Sequence, residues 1–377
     1  MPADTPRPLT DFVSDRAKGV DASGIRKVFD LAAKLENPIN LSIGLPDFDV
    51  PDEAKASAID AIQRGENRYT PTQGIAPLRE AIAAEHGVPV GQVFITSGVS
   101  GGLFLSILAC INPGDEVAFL DPYFVMYRHL VTMAGGRSVA IDSYPSFRFD
   151  PEKVEAAITP RTKLLILNTP SNPTGVTMTE AEVRAAAELA RKHDLLVVAD
   201  EIYVPFLYGE AKTVPSLHTL YDRTILLRGF SKTYGMTGWR LGYAIGPEAI
   251  VEQMIKLQQY TYVCAPSPFQ HAALTAMGLP TEHHIAAYRR KRDIVAETLG
   301  ETFELTVPDG AFYAFPKVPD SLGLTATQFC ERMIERNVLV IPGSVFSRRD
   351  THYRISFATT DDRLREGCDL LREAAAS

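Results

Sequence analysis

From about residue 90 the chain alternates short apolar runs with stretches of helical spacing. The runs are QVFITSG, EVAFLD, TKLLILN, LLVVAD and TILLRG, rich in β-branched residues and apolar at successive positions. Strands apolar on both faces are buried on both faces, the condition of a parallel sheet covered by helices. The region therefore predicts an α/β domain with a largely parallel sheet. One intervening helix is well marked: Thr179 and Glu182 predict a capping box, and Val183, Ala186, Ala187 and Ala190 share one face. Arg191, Lys192 and His193 suit its C-terminal end. After about residue 280 the pattern changes to a long charged helix around YRRKRDIVAETL, then short strands, then a last helix with Leu364, Cys368 and Leu371 on one face. This predicts a smaller α+β domain. The stretch SGIRKVFDLAAKL, before residue 40, predicts a helix that packs with that C-terminal part.

Composition narrows the class. A chain of 377 residues with 45% hydrophobic content is long enough for a large core and a second domain. The formal charge of −8 comes from interspersed acids and bases, which argues for solubility and against a nucleic-acid surface. Cys110, Cys264, Cys330 and Cys368 are far apart and form no C-x-x-C pair, so neither a metal site nor a disulfide framework is expected. No apolar run approaches the roughly 20 residues of a membrane helix, and the first residues lack a signal-peptide pattern. A cytoplasmic protein without a membrane partner is the expectation.

Ligands of α/β sheets collect at the ends of strands. ITSGVSGG offers a small-residue turn and a helix start, where Gly98, Val99 and Ser100 could cradle a phosphate, although tight packing alone also favours such turns. LNTPSNPTG ends a strand on Asn168 and places Asn172 among turn residues that can equally be turn formers. VVADEIY ends a buried strand on Asp200, either a helix cap or a carboxylate needing a cationic partner. GFSKTYGMTGWRLGY carries Lys232 and, eight positions on, Arg240. A lysine is ordinarily a surface residue; held among other cations its pKa falls and it becomes a nucleophile. In chain order, a phosphate cradle, Asn172, Asp200, Tyr203, Lys232 and Arg240 together suit one cofactor, pyridoxal phosphate.

Over nearly its whole length the chain resembles the fold-type I pyridoxal-phosphate enzymes, specifically the class I/II aminotransferases. The matching text is LSIGLPDFDVP, RYTPTQGIAPLREAIA, SNPTG, ADEIY, SKTYGMTGWRLGY, PDGAFYAFP, IPGSVF and YRISFA. The resemblance implies a large cofactor-binding domain over 41–280 with a mostly parallel seven-stranded sheet, and a small α+β domain formed by 1–40 and 281–377. It implies that Lys232 bonds the cofactor and moves the proton, that Asp200 pairs with the ring nitrogen, and that Tyr203 and Asn172 hydrogen-bond the ring oxygen. Phe124 would stack on the ring. Gly98, Val99, Ser100, Ser231 and Arg240 would hold the phosphate, joined by Tyr69 from the neighbouring subunit of a homodimer. Gly229 departs from the pattern, since many relatives have serine there. Arg354, Gly44 and Asn172 would take the substrate α-carboxylate, and Ser23, Gly24, Ile25 and Leu45 would border the mouth. The activity implied is amino-group exchange between an L-amino acid, aspartate first and alanine or an aromatic amino acid next, and a 2-oxo acid such as 2-oxoglutarate. A β-lyase on the same fold is the alternative. A non-catalytic regulator would usually lack Lys232.

Overall fold

The computed structural model describes residues 7–21, 24, 35–209 and 214–376. The five apolar runs all form strands: β2 (Val93–Thr96), β3 (Glu116–Asp121), β5 (Thr162–Asn168), β6 (Leu196–Asp200) and β7 (Thr224–Gly229), numbered after β1 (Ile39–Asn40). Two further strands complete the sheet, β4 (Arg137–Asp142) and β8 (Gly242–Ile245). Sequence reading passed over both. β4 is an edge strand with exposed Arg137 and Asp142 at its ends, so it lacks the doubly buried signature. β8 is only four residues long and begins on glycine.

The seven strands lie in the order β2-β8-β7-β6-β5-β3-β4. β8 is antiparallel to both its neighbours, and all other pairings are parallel. Alternation along each strand feeds two cores. Leu165 and Leu167 of β5 join the face packed by the Glu180–Lys192 helix, where Val183, Ala186, Ala187 and Ala190 are buried behind the Thr179/Glu182 capping box. Leu164 and Ile166 turn to the other face, with Leu103 and Leu105 of the Gly98–Cys110 helix.

The register sets the site. Asn168 pairs with Asp200, so β5 and β6 end level, while Asp200 pairs with Leu227, two residues before the end of β7. Because β8 runs the other way, its first residue, Gly242, lies opposite both Thr96 and Gly229. The chain thus leaves the edge at Gly229, forms the short Phe230–Thr233 helix and returns to the same edge at Arg240.

The C-terminal part folds around β9 (Tyr313–Ala314), β11 (Ile341–Pro342) and β12 (Tyr353–Ser356), an antiparallel sheet in the order β11-β12-β9. β1 pairs in parallel with β10 (Val338–Leu339). Ile39 and Leu41 share a core with Val295 of the Glu282–Leu299 helix and with Leu364, Cys368 and Leu371 of the last helix. The helix predicted at SGIRKVFDLAAKL, with Ser23 and Ile25, lies outside the described residues except for Gly24 and Leu35. Among the described residues no helix is long and apolar enough to cross a membrane.

Candidate active site

A cavity of about 350 Å³ opens at the carboxyl ends of β2, β5, β6 and β7, against residues from β9 and β12. Lys232, Asp200, Tyr203, Asn172, Phe124, Val99, Ser100, Ser231, Arg240, Gly44, Leu45 and Arg354 all line it. The structure brings together candidates from residues more than 300 positions apart. Gly98 stands just behind, with φ +69°. A Cβ there would lie 2.7 Å from Arg240 Nη2, so only glycine lets the arginine approach the helix start. Gly242 closes the other side: a Cβ would meet Gly98 C and Val99 N at 2.8 Å.

Asp200 is 2% exposed. Tyr127 Oη donates to its Oδ2 at 2.7 Å, while Asn168 Nδ2 donates to its main-chain oxygen at 2.9 Å. Asn168 Oδ1 in turn accepts from Asn172 N at 2.8 Å, fixing the SNPTG turn to the strand end. Burial pushes the Asp200 carboxyl up to about 6, against the pull of the Tyr127 hydrogen bond. Lys232 Nζ donates to Gly44 O at 2.6 Å. Burial, reinforced by Arg354 and Arg240, lowers the Lys232 ammonium to about 8.

Arg354 is 1% exposed and lies between two rings, its guanidinium 4.6 Å from the Tyr313 centroid and 4.7 Å from that of Phe346. It donates to Asn172 Oδ1 at 2.9 Å and to Ser42 O at 2.6 Å. Its Nε is buried with no protein partner, a donor left for a ligand. Arg240 is held through Nη1 to Thr237 O at 3.1 Å and adopts φ +55°, in the left-handed region that is uncommon for non-glycine residues.

Two tyrosines escaped the sequence reading. Tyr127 supports Asp200, and Tyr313 pairs its hydroxyl with that of Tyr203 at 2.8 Å. Both sit at buried positions where tyrosine ordinarily fills a core, and their partners are 73 and 110 residues away. Tyr69 does not line the cavity and is 83% exposed. Gly229 faces elsewhere, lining a separate cavity of about 210 Å³ with Glu85, Glu201 and Arg228. A Cβ on Gly229 would come within 3.0 Å of Gly242 Cα, so its smallness is set by the β7–β8 contact.

The residues present fit pyridoxal phosphate. The charged side chains lining the cavity are three cations, Lys232, Arg240 and Arg354, and one carboxylate, Asp200, which suits a ligand and substrate that are both anionic. The first turn of the Gly98–Cys110 helix has no side-chain cap, and its Val99 and Ser100 face the cavity, a disposition suited to phosphate.

The mostly parallel seven-stranded sheet, with this cavity at the carboxyl ends of its strands, has the architecture of the fold-type I transferases. Residues 36–371 match the family model for aminotransferase class I and II. The aromatic-amino-acid aminotransferase 2 of Thermococcus litoralis is 39% identical over 380 residues, covering 96% of this chain and 97% of that protein. The aspartate aminotransferase of Pyrococcus abyssi is 38% identical with the same coverage. Among solved structures, the Thermus thermophilus aspartate aminotransferase with maleate superposes with a TM-score of 0.92 at 34% identity, over 96% of this chain and 99% of that one. The chain belongs to the class I and II aminotransferases, a pyridoxal-phosphate-dependent family, and is an aminotransferase.

Proposed function

We propose that this enzyme exchanges the amino group between an L-amino acid and a 2-oxo acid, 2-oxoglutarate foremost, in a ping-pong sequence. The observation that carries the reading is that Lys232 Nζ, the Asp200 carboxylate and the buried Arg354 fork open into one cavity. Bound pyridoxal phosphate would supply an aldehyde carbon and a ring that draws electron density from the substrate α-carbon. Asp200 would hold a proton on the ring nitrogen, and its burial strengthens that interaction. Tyr203 and Asn172 would donate to the ring oxygen, and Phe124 would cover the ring. Arg240 and the Val99–Ser100 turn, with Gly98 and Ser231, would hold the phosphate. Arg354 would grip the substrate carboxylate as a planar fork, with Gly44 and Asn172 beside it. Lys232, neutral above about pH 8 before loading, would act as the base that takes the α-proton and returns it on the other side of the exchange.

Aspartate is the first candidate donor, supported by the names of the Pyrococcus and Thermus relatives. An aromatic amino acid is the second, supported by the Thermococcus relative and by Ile43, Leu45, Leu103 and Phe124 in the cavity wall. The active assembly is proposed to be a homodimer in which Tyr69 reaches the partner's phosphate site, in keeping with its exposure and that of Tyr260, 82%. Residues 41–280 are proposed as the cofactor-binding domain and 1–40 with 281–377 as the small domain: the cores on the two faces of the large sheet lie within 41–280, while the C-terminal core also takes in Leu41 and residues 202–208. Four unpaired cysteines suit a cytoplasmic location. A panel of amino acids mixed with the loaded enzyme, read by the cofactor's absorbance and by product analysis, tests the reading. Reversible conversion of the cofactor to its amine form with release of a 2-oxo acid is expected. Release of ammonia with pyruvate would instead assign a β-lyase.

A further inference from the structure

Tyr203 follows β6 in the large sheet and Tyr313 lies in β9, so their 2.8 Å hydroxyl contact joins two sheets across the cavity. The side chains are 5% and 1% exposed, respectively, and meet edge to face at 5.5 Å and 88°. Two neighbours fix where the Tyr313 hydroxyl sits. The Arg354 guanidinium lies 4.6 Å over its ring. Gly44 packs so closely that a Cβ would fall 2.0 Å from Tyr313 Oη.

Either oxygen of the pair can donate as the structure stands. Two physical arguments decide the direction once the cofactor is present. A tyrosine hydroxyl has one proton and two lone pairs, so Tyr203 can donate its single proton to only one acceptor while still accepting from Tyr313. The Arg354 cation lies nearer the Tyr313 ring, at 4.6 Å, than Lys232 Nζ lies to the Tyr203 ring, at 6.0 Å, which favours electron withdrawal from the Tyr313 phenol and makes that hydroxyl the better donor.

We propose that Tyr313 is a positioning residue, donating its hydroxyl proton to Tyr203 so that Tyr203 donates more strongly to the cofactor's ring oxygen. The inference rests on the function proposed above. Hydrogen bonds in series polarise one another, by about 10–30% per bond. Removing the first weakens the second, and the linkage between Lys232 and the cofactor then keeps its proton to higher pH. This role differs from simple packing, because Tyr313→Phe keeps the ring against Arg354 and Tyr203 and deletes only the donor.

The test is a pH titration of the bound cofactor's absorbance in wild type, Tyr313→Phe, Tyr203→Phe and the double variant. Melting of the four cofactor-free proteins is measured alongside. Tyr313→Phe is expected to raise the midpoint by about 0.3 to 1 unit. Tyr203→Phe is expected to raise it further, and the double variant to match Tyr203→Phe, because Tyr313 acts through that residue. An unmoved midpoint in Tyr313→Phe overturns the inference, whether or not the melting temperature falls. So does an equal shift in the Tyr203→Phe background. If wild type binds pyridoxal phosphate without a covalent absorbance band, the proposed function itself fails, a result distinct from a band that ignores Tyr313.

Discussion

Replacing Asp200 by asparagine separates what this residue does for function from what it does to stability. In the cofactor-free protein the carboxyl is buried at the end of β6, with one strong side-chain donor, Tyr127, and only a long contact of 3.5 Å from Ile202 N. Its pKa rises from 3.8 to about 6, burial being the largest cause. For a carboxyl raised on folding, the favourable protonated form is available below the unfolded value, and stability is lost as pH climbs through the folded value. At 1.36 kcal/mol per unit, the roughly two-unit shift corresponds to a cost of about 3 kcal/mol near pH 8 and about 1 kcal/mol near pH 4.5. Asparagine keeps an oxygen for the Tyr127 hydroxyl and removes the charge. The cofactor-free Asp200→Asn protein is therefore expected to be more stable than wild type near pH 8 by up to about 3 kcal/mol, with the gain shrinking as pH falls. Urea melts at the two pH values read this directly. Turnover of the loaded variant should meanwhile collapse, because the amide cannot hold the ring-nitrogen proton as a carboxylate does. Equal stability of the two proteins near pH 8, or a gain independent of pH, would refute the assignment of Asp200 as a desolvated carboxylate whose burial serves the cofactor.

Three further outcomes follow from the same geometry. Arg354→Lys replaces a planar fork by a point charge and is expected to raise KM for the amino acid about 10- to 100-fold, some 1.4 to 2.8 kcal/mol, with the cofactor's absorbance unchanged. Steady-state kinetics check this, and an unaltered KM would remove Arg354 from the carboxylate site. Gly242→Ala places a methyl 2.8 Å from the Gly98 and Val99 backbone and should weaken pyridoxal phosphate binding at least about tenfold, measured by fluorescence titration of the cofactor-free protein. Unchanged affinity would mean that the phosphate does not rest on that turn. Lys232, lowered to about 8, is protonated below that pH and neutral above it, so the rate at which cofactor-free protein captures pyridoxal phosphate should rise with a midpoint near 8. A midpoint near the ordinary lysine value of 10.5 would contradict the buried, cation-flanked setting.

Much of the site was legible because its residues fall at strand ends within recognisable local text. Asp200 and Asn168 end doubly apolar runs, and the register that levels them is the register of a parallel sheet. The Lys232–Arg240 spacing needed one feature the apolar pattern does not carry, the antiparallel β8 that returns the chain to the same edge. Tyr127 and Tyr313 stayed hidden because a buried tyrosine reads as packing until the partner of its hydroxyl is known, and those partners are distant in sequence. Gly229 is the instructive departure. Sequence comparison suggests a missing hydroxyl, whereas the fold shows two glycines, Gly229 and Gly242, in close backbone contact, with Ser231 rather than Gly229 facing the cavity. The C-terminal lobe was readable from helix faces such as Leu364, Cys368 and Leu371, but its pairing with Ile39 is tertiary and two residues long.

The central claim is that Lys232 bonds the cofactor and moves the proton. Lys232→Ala, purified and mixed with pyridoxal phosphate and then with an amino acid, tests it most directly. The expected result is loss of the covalent cofactor band together with loss of 2-oxo acid formation, while the fold and the Arg240-lined phosphate site remain. Amino-group transfer at the wild-type rate in that variant would contradict it.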